Sequence, residues 1–460
     1  VGIGGAIAFT AVTELNQMPP ALALMLGLAV GIDYALFIVT RHRTSLLHGQ
    51  DLVESISRAV GTAGSAVVFA GLTVVIALTA LVLSGLPILA EMGLVAAFTV
   101  AVTVLVAVTV SPALLRLMGT RVISKRGWRA AGFATPGDLT SRTTPDDGTD
   151  EEHGGWFVRL VTLRPWLTVL AVVGVLGVLA IPVGSIQLGL PDGGREPNGT
   201  TAHTAYTTVG EQFGPGINGP IVAVTTLPEE LRPTDEASLA NVQAMIATRL
   251  KVIDGVRSVV PFGVSPDQAT LAFQVVPTTG PADPATAETF HRVEFTASQL
   301  ERRENIKLGL TGQTVANIEV SERLAAALPA YLAVVVGLSV LILLLVFRSL
   351  VVPLIATGGF LLSIAAAFGA TVAVHQWGWL GALFGVHQAG PLLSVMPIII
   401  IGVLFGLAMD YQMFLVSGMH EARSHGEDSR TAVRTGFVHG AKVVTAAAII
   451  MTSVFLGFAF

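Results

Sequence analysis

Long apolar runs alternate with polar segments along the whole chain of 460 residues. A run of about 20 apolar residues is the length that an α-helix needs to cross the hydrocarbon core of a bilayer. We identify nine such runs, and we expect the first to be truncated. They cover residues 1–13, 20–41, 62–84, 87–117, 165–185, 328–347, 350–374, 391–418 and 437–460. This pattern predicts a polytopic α-helical membrane protein.

Two long polar segments interrupt the apolar runs. Residues 118–163 are predicted to be a disordered linker, because their middle, TPGDLTSRTTPDDGTDEEHGG, is rich in Thr, Gly, Pro and Asp. Residues 186–327 show short strand-like runs and two stretches with helical periodicity. The predicted strands are 220–226, 256–261, 269–276 and 306–311, and the predicted helices are 236–252 and 284–303. Their order, β-α-β-β-α-β, predicts an α+β domain of the ferredoxin-like type.

The distribution of basic residues predicts the orientation of the chain. Lys and Arg cluster after the second, fourth and sixth runs and before the last one, whereas the short loops on the opposite side, TELNQMPP, SGLPILAE and HQWGWLGALFGVHQAGP, carry none. By the positive-inside rule the basic loops are cytoplasmic, and the α+β domain is extracytoplasmic. The sequence thus divides into the end of a first transmembrane half, a cytoplasmic linker, the first span of a second half, the extracytoplasmic domain and the remaining spans. The predicted ranges are 1–117, 118–163, 164–185, 186–327 and 328–460.

The composition supports a membrane protein and excludes several other classes. Charged residues make up only 12% of the chain, about half of what is usual for soluble proteins. Cysteine is absent, which excludes disulfides and thiol chemistry. The sequence carries no basic patch for nucleic acid, no phosphate-binding G-x-x-x-x-G-K-[ST] motif and no constellation of catalytic or metal-binding residues. We therefore expect no nucleic-acid partner, no cofactor and no enzymatic activity.

The two membrane halves repeat one another in sequence. At an ungapped offset of 377 positions Asp33 aligns with Asp410, and Tyr34 aligns with Tyr411. The same offset aligns the loop HGQD at 48–51 with HGED at 425–428. This agreement indicates a parallel repeat of two halves with the same topology. Because the second half contains a soluble domain, we expect a first soluble domain ahead of residue 1, and the chain to be an internal part of a longer protein.

The repeated Asp-Tyr pairs are the main candidates for function. A carboxylate inside a membrane span costs about 2.5–3.5 kcal/mol on insertion scales, and such residues usually have a function. A carboxyl group there can bind and release a proton, and a Tyr hydroxyl can stabilise its ionised form. We predict reciprocal contacts between the repeats, from Asp33 to Tyr411 and from Asp410 to Tyr34. The alternative is that both Asp residues only join helices through hydrogen bonds.

Small residues lie near both pairs. They are Gly27, Gly31, Gly402 and Gly406. Glycine allows two membrane helices to approach closely, so we predict that these four positions serve helix packing.

Four stretches of the chain resemble a known family. GIDYALFIVTRHR with AGLTVVIALTAL, and GLAMDYQMFLVSGMHEARSHG with AAAIIMTSVFLGF, resemble the two repeat halves of MmpL-type transporters of the resistance-nodulation-division (RND) superfamily. EQFGPGINGPIVAV and TGQTVANIEVSERLAAALP resemble the two ends of that family's second porter domain. The resemblance implies an RND-type fold with twelve spans and two porter domains. It places residue 1 in the third span and residue 460 in the eleventh.

The resemblance also implies a function. Members of this family use the proton motive force to export lipids or other hydrophobic molecules from the plasma membrane to the cell envelope, by proton antiport. Asp33, Tyr34, Asp410 and Tyr411 match the family's proton-relay residues. The expected partners are a hydrophobic or lipid substrate and membrane lipids, and a homo-oligomer or accessory envelope proteins are left open. The alternatives are a drug or antibiotic efflux pump of the same superfamily, an aid to protein translocation, and a membrane scaffold or receptor that transports nothing.

Overall fold

The computed structural model describes residues 18–133, 164–190, 192–386, 388–424 and 426–459. The chain divides into two compact units. We call Val1–Leu179, Ala327–Ala366 and Pro397–Phe460 the helical unit, and Ala180–Ala326 and Ala367–Met396 the mixed unit.

Eight helices in the described part of the chain are long and apolar enough to cross a membrane. They cover Ala21–Leu47, Leu52–Ser84, Pro87–Val122, Pro165–Ser185, Gln313–Phe347, Val351–His375, Met396–His420 and Thr431–Gly457. Eight of the nine predicted spans thus correspond to helices, and the span predicted at 1–13 lies outside the described residues. The prediction of a polytopic helical membrane protein is confirmed.

The helices of the first half follow one another with short connections. They are α1 (Met18–Leu47), α2 (Leu52–Ala59), α3 (Ser65–Thr79), α4 (Pro87–Met118) and α5 (Lys125–Ala130), followed by α6 (Pro165–Ala180). A π-helical segment, Val60–Gly64, joins α2 to α3 without a break. Segments of this kind are rare and occur often at functional sites.

The segment predicted as a disordered linker is folded at its beginning, which corrects that prediction for residues 119–133. Ile123, Trp128 and Phe133 are buried and pack with Leu46 at the end of α1. The Trp128 indole donates a hydrogen bond to the carbonyl oxygen of Thr120 at 3.3 Å. Large apolar side chains with a partner to pack against stabilise this short segment, and a polar composition further along the linker does not prevent it. Residues 134–163 lie outside the described part.

The mixed unit contains the predicted ferredoxin-like domain. Its elements are β1 (Leu188–Gly189), α7 (Thr201–Phe213), β2 (Ile221–Thr226), α8 (Glu236–Lys251), β3 (Val256–Val264), β4 (Thr270–Pro277), α9 (Pro284–Glu304) and β5 (Lys307–Thr311). The four-stranded sheet has the order β3-β4-β2-β5, and each neighbouring pair is antiparallel. This is the split βαβ arrangement that the order of the elements predicts.

One face of the sheet forms the core of the domain. Ala223 in β2 and Phe273 in β4 lie opposite each other, and both are fully buried. They pack with Leu250 of α8 and with Phe290 and Val293 of α9. Both helices therefore cover the same face of the sheet, and alternate residues of β2 point into that core.

The second half continues with α10 (Gln313–Phe347), α11 (Val351–His375), β6 (Leu392–Leu393), α12 (Met396–Ser424) and α13 (Ser429–Ala459). β6 pairs in parallel with β1, so the mixed unit includes 367–396 in addition to the domain predicted at 186–327. The span predicted to begin at residue 391 begins at Met396, because the two leucines before it lie in the strand.

The repeated HGxD loop has a structural explanation. After α1 the backbone of Gly49 is left-handed (φ 86°), and the Asp51 carboxylate accepts a hydrogen bond from the backbone N–H of Val53 at the start of α2. Gly426 is left-handed as well (φ 97°), and Asp428 directly precedes α13. Glycine adopts this conformation without strain and Asp is a favoured N-cap, so the motif ends one helix and starts the next.

Candidate functional site

The two membrane halves meet at a hydrogen bond between buried side chains. The hydroxyl of Tyr34 on α1 donates to Oδ2 of Asp410 on α12 at 2.9 Å. Only 1% of Tyr34 and 4% of Asp410 is exposed. The predicted contact between Asp410 and Tyr34 is confirmed.

The reciprocal pair is looser than predicted. Asp33 is only 2% exposed, but neither of its carboxyl oxygens forms a hydrogen bond with another described residue. The hydroxyl of Tyr411 nevertheless lies next to this carboxyl group and interacts with it, but outside the geometry of an ordinary hydrogen bond. The two repeats therefore place their pairs at equivalent positions, but they do not give them the same hydrogen bonding.

Two aromatic rings and a small cavity lie beside the bonded pair. Phe37 and Phe414, which the repeat relates, pack with their ring centroids 4.6 Å apart. The cavity is lined by Tyr34, Phe37, Ala66, Val67, Ala70, Asp410 and Phe414. Its volume of about 10 Å³ is roughly what one water molecule requires. A single water can therefore reach the Tyr34–Asp410 pair from this side.

Gly27 and Gly31 bring α1 close to α4, as their predicted role requires. A Cβ atom added at Gly27 would lie 2.8 Å from the methyl group of Thr99, and one added at Gly31 would lie 3.2 Å from the methyl group of Thr103. Both distances are shorter than an ordinary van der Waals contact, so the glycines set the spacing of the helix that carries Asp33.

Gly402 and Gly406 likewise bring their helix, α12, close to neighbouring helices. A Cβ added at Gly406 would lie 2.5 Å from Val74 on α3, and one added at Gly402 would lie 2.6 Å from the hydroxyl of Tyr331 on α10. That hydroxyl donates a hydrogen bond to the carbonyl oxygen of Ala77 on α3 at 3.1 Å. The sequence analysis missed Tyr331, although a buried tyrosine in an apolar span usually has a hydrogen-bond partner.

The arrangement is suited to the exchange of protons between buried groups. An ionised carboxylate is costly to bury unless it is paired, and two of them in one place cost more. Asp33 and Asp410 interact electrostatically, and a Tyr hydroxyl lies next to each. Among the described residues no group of three or more His, Asp or Glu side chains could hold a metal ion. Binding and loss of protons is therefore the chemistry that these side chains themselves offer.

Comparisons with known proteins agree over most of the chain. The model of the MMPL family matches residues 1–165 and 196–460. The chain is 39% identical over 460 residues to the membrane protein YdfJ of Bacillus subtilis, covering 100% of this chain and 60% of that protein. It is 31% identical over 454 residues to the mycolic acid-containing lipids exporter MmpL11 of Mycolicibacterium smegmatis, covering 97% of this chain and 46% of that protein.

Solved structures share the fold at low sequence identity. The hedgehog release protein Disp from a water bear, Hypsibius dujardini, has a TM-score of 0.60 at 14% identity, covering 95% of this chain and 58% of that one. SecDF, a translocon-associated membrane protein from Thermus thermophilus, has a TM-score of 0.52 at 11% identity, covering 99% of this chain and 52% of that one. The chain thus spans three fifths or less of each of these four proteins. By the extent of the family match and the identity to its relatives, this multi-pass protein of the plasma membrane belongs to the MMPL family.

Proposed function

We propose that the full-length protein is a secondary active transporter that uses the proton motive force to export lipids or other hydrophobic molecules to the cell envelope. The observation that carries this proposal is the buried hydrogen bond between Tyr34 and Asp410, which joins the two repeated halves. A group that binds and releases a proton at such a junction changes the interaction between the halves each time it does so.

The energy available from protons is sufficient for such a cycle. Moving one elementary charge through 100 mV is worth about 2.3 kcal/mol. When Asp410 is ionised, the Tyr34 hydroxyl donates to a charged acceptor, and such hydrogen bonds contribute about 1.5–3 kcal/mol. Protonation of the carboxylate weakens that bond. The energy from the passage of one proton is therefore comparable to the energy of one hydrogen bond between the halves. Proton passage can thus be coupled to a change in the contact between the halves.

Two relatives support the proposed class of substrate. MmpL11 of Mycolicibacterium smegmatis is named as an exporter of mycolic acid-containing lipids, and MmpL3 of Mycobacterium tuberculosis, 26% identical to this chain, as an exporter of trehalose monomycolate. Both substrates are lipids. We extend that class, but not either molecule, to this protein, with the α+β domain on the extracytoplasmic side of the membrane.

Single substitutions in the full-length protein test the proposal. Asp33→Asn and Asp410→Asn keep the size and polarity of each side chain and remove the group that ionises. Each is expected to abolish transport of a fluorescent phospholipid in energised membrane vesicles, at normal abundance in the membrane. Asp51→Asn is the matched control, because it makes the same change at a helix cap where Asn is equally suitable. Normal transport by both variants would show that the buried Asp residues only hold helices together.

A further inference from the structure

A buried polar pair occurs in the first half of the repeat and has no counterpart in the second. His42 on α1 and Ser55 on α2 are both 0% exposed, and the Nδ1 atom of His42 lies 2.9 Å from Oγ of Ser55. At the offset of 377 positions these residues align with Met419 and Ala432. An apolar pair therefore occupies the equivalent positions of the second half, and the fold of a half does not require the polar one.

The hydrogen bonds of Ser55 favour one of the two ring nitrogens of His42 as the proton acceptor. The hydroxyl of Ser55 has one hydrogen, and it donates that hydrogen to the carbonyl oxygen of Leu52 at 3.0 Å. The 2.9 Å contact fits either tautomer of the ring, and in the one that lets Ser55 keep its bond to Leu52, Nδ1 carries the hydrogen. In the neutral ring Nε2 then carries the lone pair. Nε2 is buried and has no hydrogen-bond partner among the described residues.

The backbone beside this pair also differs between the halves. In the first half the π-helical segment Val60–Gly64 separates α2 from α3, whereas α13 is one continuous α-helix over the equivalent positions. The cavity next to Asp410 is lined by three residues of α3, Ala66, Val67 and Ala70, which follow the π-helical segment directly. The irregular backbone and the buried polar pair thus belong to the first half, which also supplies five of the seven residues that line the cavity.

The distance from the Asp-Tyr pairs to His42 is short. His42 lies eight residues after Tyr34 on the same continuous helix, or about 12 Å along its axis. Phe37 and the cavity lie between these two positions. The cavity beside Phe37 has room for about one water molecule on the way from Asp410 towards His42.

Charged groups surround the end of α1 where His42 lies. Among described side chains on α1, in the turn that follows it, and on the helices packed against it, these groups are Arg41, Arg43, His48, Asp51, Glu54, Arg58, Arg116, Lys125, Arg126, Arg129 and Arg434. Arg41 also donates a hydrogen bond to Thr62 in the π-helical segment. Most of these groups are cations. They repel an imidazolium ion and so favour the release of its proton to water.

We propose that His42 is the group that carries protons from the Asp-Tyr pairs to the cytoplasm, and that this exit path runs through the first half alone. The inference rests on the proposed function. The O–H bond of protonated Asp410 breaks, its proton passes through water in the cavity to Nε2 of His42, and an N–H bond forms there. The imidazolium then gives that proton to cytoplasmic water and returns to the neutral ring. Asp410 remains as a carboxylate that accepts the hydrogen bond from Tyr34.

The test replaces the polar pair by the pair that the second half carries. The double variant His42→Met with Ser55→Ala is made in the full-length protein, and His42→Gln serves as a second variant that keeps a polar side chain. Proton flux is measured in vesicles of bacterial polar lipid, with a trapped pH-sensitive dye and a potassium diffusion potential. Asp410→Asn sets the background flux. Met419→Leu is the control at the equivalent position of the second half and is expected to behave like the wild type.

Both the rate and its pH profile are measured. Wild-type flux is expected to exceed that of Asp410→Asn and to vary with the pH on the cytoplasmic side between about 5 and 8, where histidine titrates. Both His42 variants are expected to lose at least tenfold in flux and to lose that variation with pH. A wild-type pH profile in either variant overturns the inference, whatever its rate, and leaves the proposed function intact. Equal flux in the wild type and Asp410→Asn overturns the proposed function, and this inference with it.

Discussion

Gly406 provides a direct test of the packing between the two halves. Substitution by Ala would place a Cβ atom 2.5 Å from one methyl group of Val74, and 3.1 and 3.2 Å from two further carbon atoms of the same side chain. Ordinary contact begins near 3.4 Å. The helices α12 and α3 would therefore have to separate by about 1 Å, or Val74 would have to leave its rotamer. Overpacking of this kind costs about 1–3 kcal/mol.

A second glycine serves as the control that separates the cost of overpacking from the effect of Gly→Ala on the helix itself. Gly358 on α11 has no atom within 4 Å of an added Cβ atom. Replacing Gly by Ala within a helix stabilises it by about 1 kcal/mol at either position. The difference in unfolding free energy between Gly406→Ala and Gly358→Ala therefore reports the collision alone, and we expect Gly406→Ala to be less stable by about 1–3 kcal/mol. Equilibrium unfolding of the purified full-length protein in mixed detergent micelles measures this difference.

The collision partner can be identified in the same assay. Val74→Ala removes the methyl groups that the added Cβ atom would meet. In the Val74→Ala background, Gly406→Ala is expected to cost at least about 1 kcal/mol less than in the wild type, because the two residues are in contact. Equal costs in both backgrounds, or equal stability of Gly406→Ala and Gly358→Ala, would refute the close approach of α12 to α3 at this point.

Three further predictions concern single side chains. Tyr34→Phe is expected to reduce transport more than Tyr411→Phe in the vesicle assay, because Tyr34 donates a hydrogen bond of 2.9 Å to Asp410, whereas the contact of Tyr411 with Asp33 is looser. Burial lowers the pKa of His291, but hydrogen bonds to acidic partners, Glu322 foremost, outweigh it and raise the pKa. The contact therefore stabilises the protein below about pH 6.5 and loses its contribution as the pH rises through the folded-state pKa. Because both side chains are about half exposed, the contribution is less than about 1 kcal/mol. His291→Gln is expected to remove this pH dependence from the unfolding midpoint, measured as a function of pH. Phe273→Ala is expected to cost about 3–5 kcal/mol, seen as loss of hydrogen-exchange protection in the sheet.

The sheet of the mixed unit could be predicted from the sequence because its signals are local. Strand β2, with the residues IVAVTT, is rich in the β-branched residues that favour strands, and the structure buries alternate residues of it. The repeated Asp-Tyr pairs could be predicted as well, since the offset of 377 positions identifies equivalent helices. The offset does not determine the hydrogen-bond geometry, and for that reason the expected contact between Asp33 and Tyr411 is looser than the one between Asp410 and Tyr34.

Contacts between distant parts of the chain that the repeat does not relate could not be predicted. Trp128 is buried because Leu46 lies next to its cluster, and no pattern within 118–133 indicates that partner. The leucines at 392 and 393 extend an apolar run in the sequence, but β1 provides a strand for them to pair with. The π-helical segment depends on hydrogen bonding along the backbone, and the letters VGTAG do not distinguish it from an ordinary helical turn.

The pairing of β1 with β6 has a consequence for how the protein is made. Gly189 and its partner Leu393 are about 200 residues apart in the chain. A ribosome adds about 5–20 residues per second, so the partner strand is synthesised roughly 10–40 s after β1. The helices α10 and α11 emerge during that interval and are inserted first. Folding of the mixed unit is therefore completed only after membrane insertion of these two helices. A substitution that delays insertion of α11 would leave β1 unpaired for longer and accessible to chaperones and proteases.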